Sequence, residues 1–125
     1  MKDKLFVGEF SVEELMKWKE KGFGHVNLVI VKTQTCPKCI KFLNHFDKFF
    51  DENFGFENVA IFTQKNTLEY ENSRKLFVEL GITSVPVVLY KYKGNISIKM
   101  TNDLPSFDSW MKWFLNNRVN QGENV

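Results

Sequence analysis

Cysteine is scarce in this chain. Two stand among 125 residues, Cys36 and Cys39, and there is no second pair. A structural zinc wants four ligands, and this pair supplies only two of them. The two histidines do not obviously complete the set. His45 falls on the polar side of a predicted helix, and His25 lies at the far end of a strand from the cysteines. Both are read as solvated or capping side chains, so no metal is expected. Long apolar runs are missing as well. The opening MKDKLFVGEFSVEEL holds no apolar leader, and no segment is long enough to span a bilayer. The expected location is therefore cytoplasmic, with no membrane partner. One-sided charge is absent too: the net charge is +2 and the lysines are spread without a basic block, which argues against a nucleic-acid partner. No repeat, linker or low-complexity stretch divides the sequence. It is read as one domain, residues 1–125, with a tail that frays from about 121.

What the chain does have is a core and a regular alternation of elements. Thirteen phenylalanines and three tryptophans supply large rings for the interior. A short first strand is placed at Leu5 to Val7. Ser11-Val12-Glu13-Glu14 then forms a capping box, with Phe10 and Leu15 placed as a hydrophobic staple. Val26 to Val31 reads VNLVIV, a strand buried on both faces. Lys32 to Thr35 is read as a polar connection, and Pro37 as the first residue of the next helix, where its missing N–H costs nothing. On that helix Cys39, Leu43, Phe46 and Phe50 share a face, widened by Ile40, Phe42 and Phe49. Val59 to Phe62 is a third strand. Asn66 with Glu69 suggests another capping box, opening a helix that Gly81 stops. Val87 to Tyr90 and the alternating Ile96 to Met100 make a closely spaced antiparallel pair. Phe107, Trp110, Met111, Phe114 and Leu115 recur at helical spacing. The order is β-α-β-α-β-α-β-β-α, an α/β fold whose central mixed sheet is flanked by helices on both faces.

The chemistry lies in Cys36-Pro37-Lys38-Cys39, between the apolar strand and the amphipathic helix. A cysteine at a helix N-terminus meets unpaired N–H groups and the positive end of the helix dipole, both of which favour a thiolate. Lys38, with Lys32 and Lys41, adds positive potential in the same sense. Two cysteines at N-cap and N3 can form a disulfide without moving the backbone. So small a loop gives little entropic stabilisation, which suits a switch better than a staple. Cys36, at the tip, is expected to be the nucleophile. Cys39, one turn inward, is expected to be the shielded resolving thiol. Ser84-Val85-Pro86-Val87 is the second signal. Beside a redox pair, it suggests a cis Val85–Pro86 bond set against the cysteines. The exposed Val85 backbone would then pair with an extended substrate.

The whole pattern resembles the thioredoxin superfamily. The resemblance rests on the element order, TCPKC at a strand-to-helix junction, GITSVPVVLYKYKGN, and the amphipathic last helix. It implies a thioredoxin fold and a protein-disulfide reductase acting through a redox-active Cys36–Cys39 disulfide. Cys36 would be the nucleophile, Cys39 the resolving cysteine and Pro86 the cis-proline. Thr35, Pro37, Lys38, Val85 and Pro86 would meet the substrate. The resemblance further implies no bound cofactor, because the dithiol carries the electrons, and a part in electron transport and cell redox homeostasis. Partners would be disulfide-containing proteins and a separate thioredoxin-reductase-like electron donor, met by a monomer. Three departures stand out. Thr-Cys-Pro-X-Cys is closer to glutaredoxins, yet Thr101-Asn102-Asp103 replaces their Gly-Gly near glutathione. Ile30 stands about where thioredoxins bury an aspartate that assists proton transfer from the resolving thiol. The alternatives are thus a glutathione-linked thiol transferase and a non-catalytic thioredoxin-fold accessory module.

Overall fold

The computed structural model describes residues 6–22, 26–53, 59–65, 69–92 and 94–122. The elements follow the expected order: β1 (Phe6–Phe10), α1 (Val12–Glu20), β2 (Leu28–Thr33), α2 (Pro37–Asn53), β3 (Val59–Gln64), α3 (Tyr70–Leu80), β4 (Val87–Tyr92), β5 (Asn95–Met100) and α4 (Leu104–Gly122). The five strands form one sheet in the order β1-β3-β2-β4-β5. β1, β3 and β2 run parallel, whereas β4 is antiparallel to both β2 and β5. The sheet is therefore mixed, with the apolar β2 at its centre.

Alternation along the strands divides the core into two layers. Leu28 and Ile30 of β2 join Val59, Val88, Phe42 and Phe46 with Phe107, Met111 and Phe114, so this face is covered by α2 and α4. Val29 and Val31 join Ala60, Phe62, Leu89, Leu15, Trp18 and Leu76 on the face covered by α1 and α3. Trp18 is fully buried, and its ring N–H is satisfied by the Val26 carbonyl at 2.8 Å. Lys91, near the end of β4, lies over that ring at 5.0 Å. Burial holds its ammonium below the ordinary lysine value of 10.5.

Local signals account for the helix ends. Both bonds of the Ser11–Glu14 capping box are made, at 3.1 and 2.8 Å, and Phe10 and Leu15 are buried in one cluster. Gly81, at φ 78°, ends α3 in the left-handed region that glycine tolerates best. α3 begins otherwise than expected. Glu69 is its N-cap rather than its third residue and makes no side-chain cap bond; Asn66 lies outside the described residues, as do Leu5 and His25.

Strand ends depart from the apolar runs. β2 begins at Leu28, two residues later than expected, and ends two later, at Thr33. β1, β3 and β4 run on past theirs, because pairing with a neighbour carries the ladder beyond the hydrophobic residues. Lys32 and Thr33 stay in register with Thr63 and Gln64, and Gly8 to Phe10 pair with Ala60 to Phe62. The connection to the cysteines is thus shorter than Lys32 to Thr35. The chain is helical to Gly122, one residue past the point where fraying was expected to begin. Ile40 is also a correction: it is 63% exposed, while Phe42 takes the buried position. The side chains of Phe49, Phe50 and Leu115 lie outside the described ones. Among the described residues, no helix is long and apolar enough to cross a membrane.

Candidate active site

The sheet register gathers the candidate residues at one end of the molecule. β2 points its C-terminus there and leads directly into Gln34, Thr35 and Cys36. β4 is antiparallel to β2, with Val31 opposite Val87, so Pro86 enters the sheet beside the end of β2. β5 turns back again, with Val87 opposite Met100, which returns Met100 and Thr101 to the same end. Residues 86 and 101 are then tied directly. The buried Thr101 hydroxyl donates to the Pro86 carbonyl at 2.8 Å.

Cys36 stands immediately before Pro37, the first residue of α2. Its carbonyl accepts from the N–H groups of Cys39 and Ile40 at 3.0 and 3.2 Å, as a capping residue should. Its Sγ also accepts from the Cys39 N–H, at 3.1 Å. An anionic sulfur there would face an N–H of the first helical turn. The segment before it is held from the other side, where the Gln34 N–H donates to the Gln64 carbonyl at 3.1 Å. Cys36 and Cys39 are joined by a disulfide, with Cα atoms 5.2 Å apart. The two sulfurs sit in different surroundings. Cys36 is partly exposed, whereas Cys39 is 1% exposed. Thr35, Pro37 and Lys38 around them are open to solvent.

A cleft of about 440 Å³ begins beside this turn. Lys38, Lys41 and Phe42 of α2 form one wall, facing Ser84, Val85 and Pro86. Met100, Thr101, Asn102 and Leu104 close it from β5 and the start of α4. The Val85–Pro86 peptide is cis. Of the residues named from sequence, Lys38, Val85 and Pro86 therefore share one cleft. Thr35, Pro37 and the two cysteines adjoin it without being among its lining residues. Thr101 and Asn102 were noted only as standing in place of a Gly-Gly, and Leu104 not as a site residue; that all three line the cleft with Pro86 was missed. Their signal is the hairpin register, because any chain that continues past Met100 must emerge beside Pro86.

His45 is another correction. It is not a solvated side chain but a half-buried one, with Nε2 2.8 and 3.1 Å from the two carboxylate oxygens of Asp108. The contact links α2 to α4. Among the described residues, no three His, Cys, Asp or Glu side chains converge as a metal-ligand set. Ile30 is fully buried in the apolar layer with Phe42 and Phe46, and β2 carries no carboxylate.

No family model matches the sequence, and no curated protein matches it. Among solved structures, the crystal structure of the J-Trx1 fragment of ERdj5 superposes on 94% of this chain with a TM-score of 0.62. The fold is a thioredoxin fold. Sequence identity to that fragment is 14%, and this chain spans about half its length, 53%. At that identity the likeness carries the architecture alone. Within the thioredoxin fold, the Cys36–Cys39 pair sits where the central strand passes into its helix.

The Thr101 hydroxyl gives the thioredoxin fold a testable lock at this end. Thr101→Val keeps the shape of the side chain but strands the buried Pro86 carbonyl. The expected cost is about 1–3 kcal/mol. It should appear as a lower urea midpoint with an unchanged m-value, and Thr101→Ser should restore most of the loss.

Proposed function

We propose that this chain is a protein-disulfide reductase that works by dithiol exchange at Cys36 and Cys39. The observation that carries the reading is the asymmetry of the bridged pair: a partly exposed cysteine at the tip of α2 and a buried one a turn behind. In the reduced chain, the Cys36 thiolate attacks one sulfur of a partner disulfide. An S–S bond forms between Cys36 and the partner, and the partner's other sulfur leaves as a thiolate that takes up a proton. Cys39, having given up its proton, then attacks Cys36. The Cys36–Cys39 bond forms and the partner leaves as a dithiol. Two electrons and two protons pass to the partner, and the chain ends in its disulfide form.

Each turn therefore requires an external dithiol donor, supplied by a separate reductase. We place the activity in the cytoplasm, where glutathione and thioredoxin systems keep thiols reduced. The proton that leaves Cys39 has no carboxylate on β2 to receive it, so water is assigned that part.

The direct test is reduction of insulin disulfides by catalytic amounts of the chain, with dithiothreitol as the donor. Turnover well above the dithiothreitol rate is expected. A rate equal to dithiothreitol alone would remove the enzyme reading.

A further inference from the structure

The cleft beside the cysteine turn carries charge of one sign. Lys38 and Lys41 stand on its α2 wall, three residues apart and so on the same side of the helix. Both are exposed, and neither forms an ion pair with any described residue. Among the described residues, no carboxylate lines the cleft. The nearest in sequence, Asp103, is committed elsewhere, its Oδ1 accepting from the Ser106 N–H at 3.3 Å at the start of α4. Asp108, further along α4, is held by His45. Apolar side chains also line the cleft: Phe42 is buried, and Met100, 43% exposed, offers a flexible thioether surface. Two unpaired cations sharing a cleft with apolar side chains suit a segment with a carboxylate next to an apolar side chain.

Resting on the exchange reading above, we propose that this cleft makes the chain selective for protein disulfides whose cysteine is followed closely by an acidic residue. Lys38 is two residues from Cys36, so a partner segment leaving the mixed disulfide passes the two ammonium groups within a few residues. An acidic segment is attracted there and a basic one repelled. Like-charge rejection contributes to selectivity alongside attraction. A second cleft, about 280 Å³ at the ends of β1 and β3, offers no such unpaired cations. Its Lys65 already faces Glu9 at 3.8 Å.

The test uses the full reduced chain and three extended fluorogenic disulfide peptides. They differ only in carrying Glu, Gln or Lys two residues after the cysteine. At low salt, kcat/KM should fall in the order Glu, Gln, Lys, with a Glu-to-Lys ratio of about tenfold. The ratio should shrink several-fold at about 0.5 M salt, because exposed charges are screened. In a Lys38→Gln, Lys41→Gln double variant it should approach one. A ratio near one in the unaltered chain, with all three peptides turned over, overturns the selectivity and leaves the exchange reading standing. Turnover of none of them overturns the exchange reading, and the selectivity falls with it. Glutathione also brings carboxylates. If the Gln peptide as its glutathione mixed disulfide is reduced faster than the Glu peptide, the cleft belongs to glutathione and the protein-segment assignment is overturned.

Discussion

Replacing Cys39 by serine is expected to turn a passing intermediate into a stable product. Cys36 remains partly exposed at the tip of α2 and still attacks a partner disulfide. With the shielded sulfur gone, nothing within the chain releases the mixed disulfide. Incubation of reduced Cys39→Ser with a disulfide-containing protein should therefore give one covalent adduct per chain, visible by non-reducing electrophoresis and dissolved by dithiothreitol. Multiple turnover should fall to the background of the external dithiol. Cys36→Ala should show neither adduct nor turnover, because Cys39 is 1% exposed and cannot meet a protein partner. Adducts from Cys36→Ala would reverse the two roles. Full turnover by Cys39→Ser with glutathione as the donor would favour the monothiol, glutaredoxin-like route.

The second large effect is on stability. Phe46→Ala should cost about 3–5 kcal/mol, a large share of the roughly 5–15 kcal/mol that holds a domain together. Phe46 is fully buried under α2, with its ring centroid 5.6 Å from Phe42 and 6.1 Å from Phe107. It joins α2, the helix that Cys36 caps and that carries Cys39, to α4, which helps close the cleft. Thermal unfolding should move down by about 10–20 °C. The neighbouring Ile40→Ala should shift stability by no more than about 0.5 kcal/mol, since Ile40 is 63% exposed. A loss under about 1 kcal/mol at Phe46 would mean that α2 is not anchored as described.

That contrast shows how the sequence could and could not be read. Apolar spacing identified the inward side of α2 but made it too wide, taking in Ile40. In the first turn of that helix only Cys39 turns inward, at 1% exposed, and Ile40 beside it faces out, at 63%. Strand existence was legible in VNLVIV and in Val87 to Tyr90, because short runs rich in β-branched residues suit a buried strand. Strand ends were not, because polar Lys32 and Thr33 are kept in the sheet by pairing with β3, a distant segment. The Ser11 capping box is local and was read correctly; the start of α3 was not.

The site divides in the same way. Cys36, Cys39 and Pro86 announce themselves by residue type. Thr101 does not. Its bond to Pro86 spans 15 residues and follows from the β4–β5 register, which composition does not reveal. His45 likewise looked like an ordinary polar-side residue, because its partner Asp108 lies 63 residues away on another helix.

The whole account depends on Cys36 being the sulfur that a partner reaches first. The most direct measurement reduces the chain, exposes it at neutral pH to a limiting amount of iodoacetamide, and locates the label by peptide mass spectrometry. Labelling should appear at Cys36 well before Cys39. Label arriving first at Cys39, or at both sulfurs equally fast, would contradict the account.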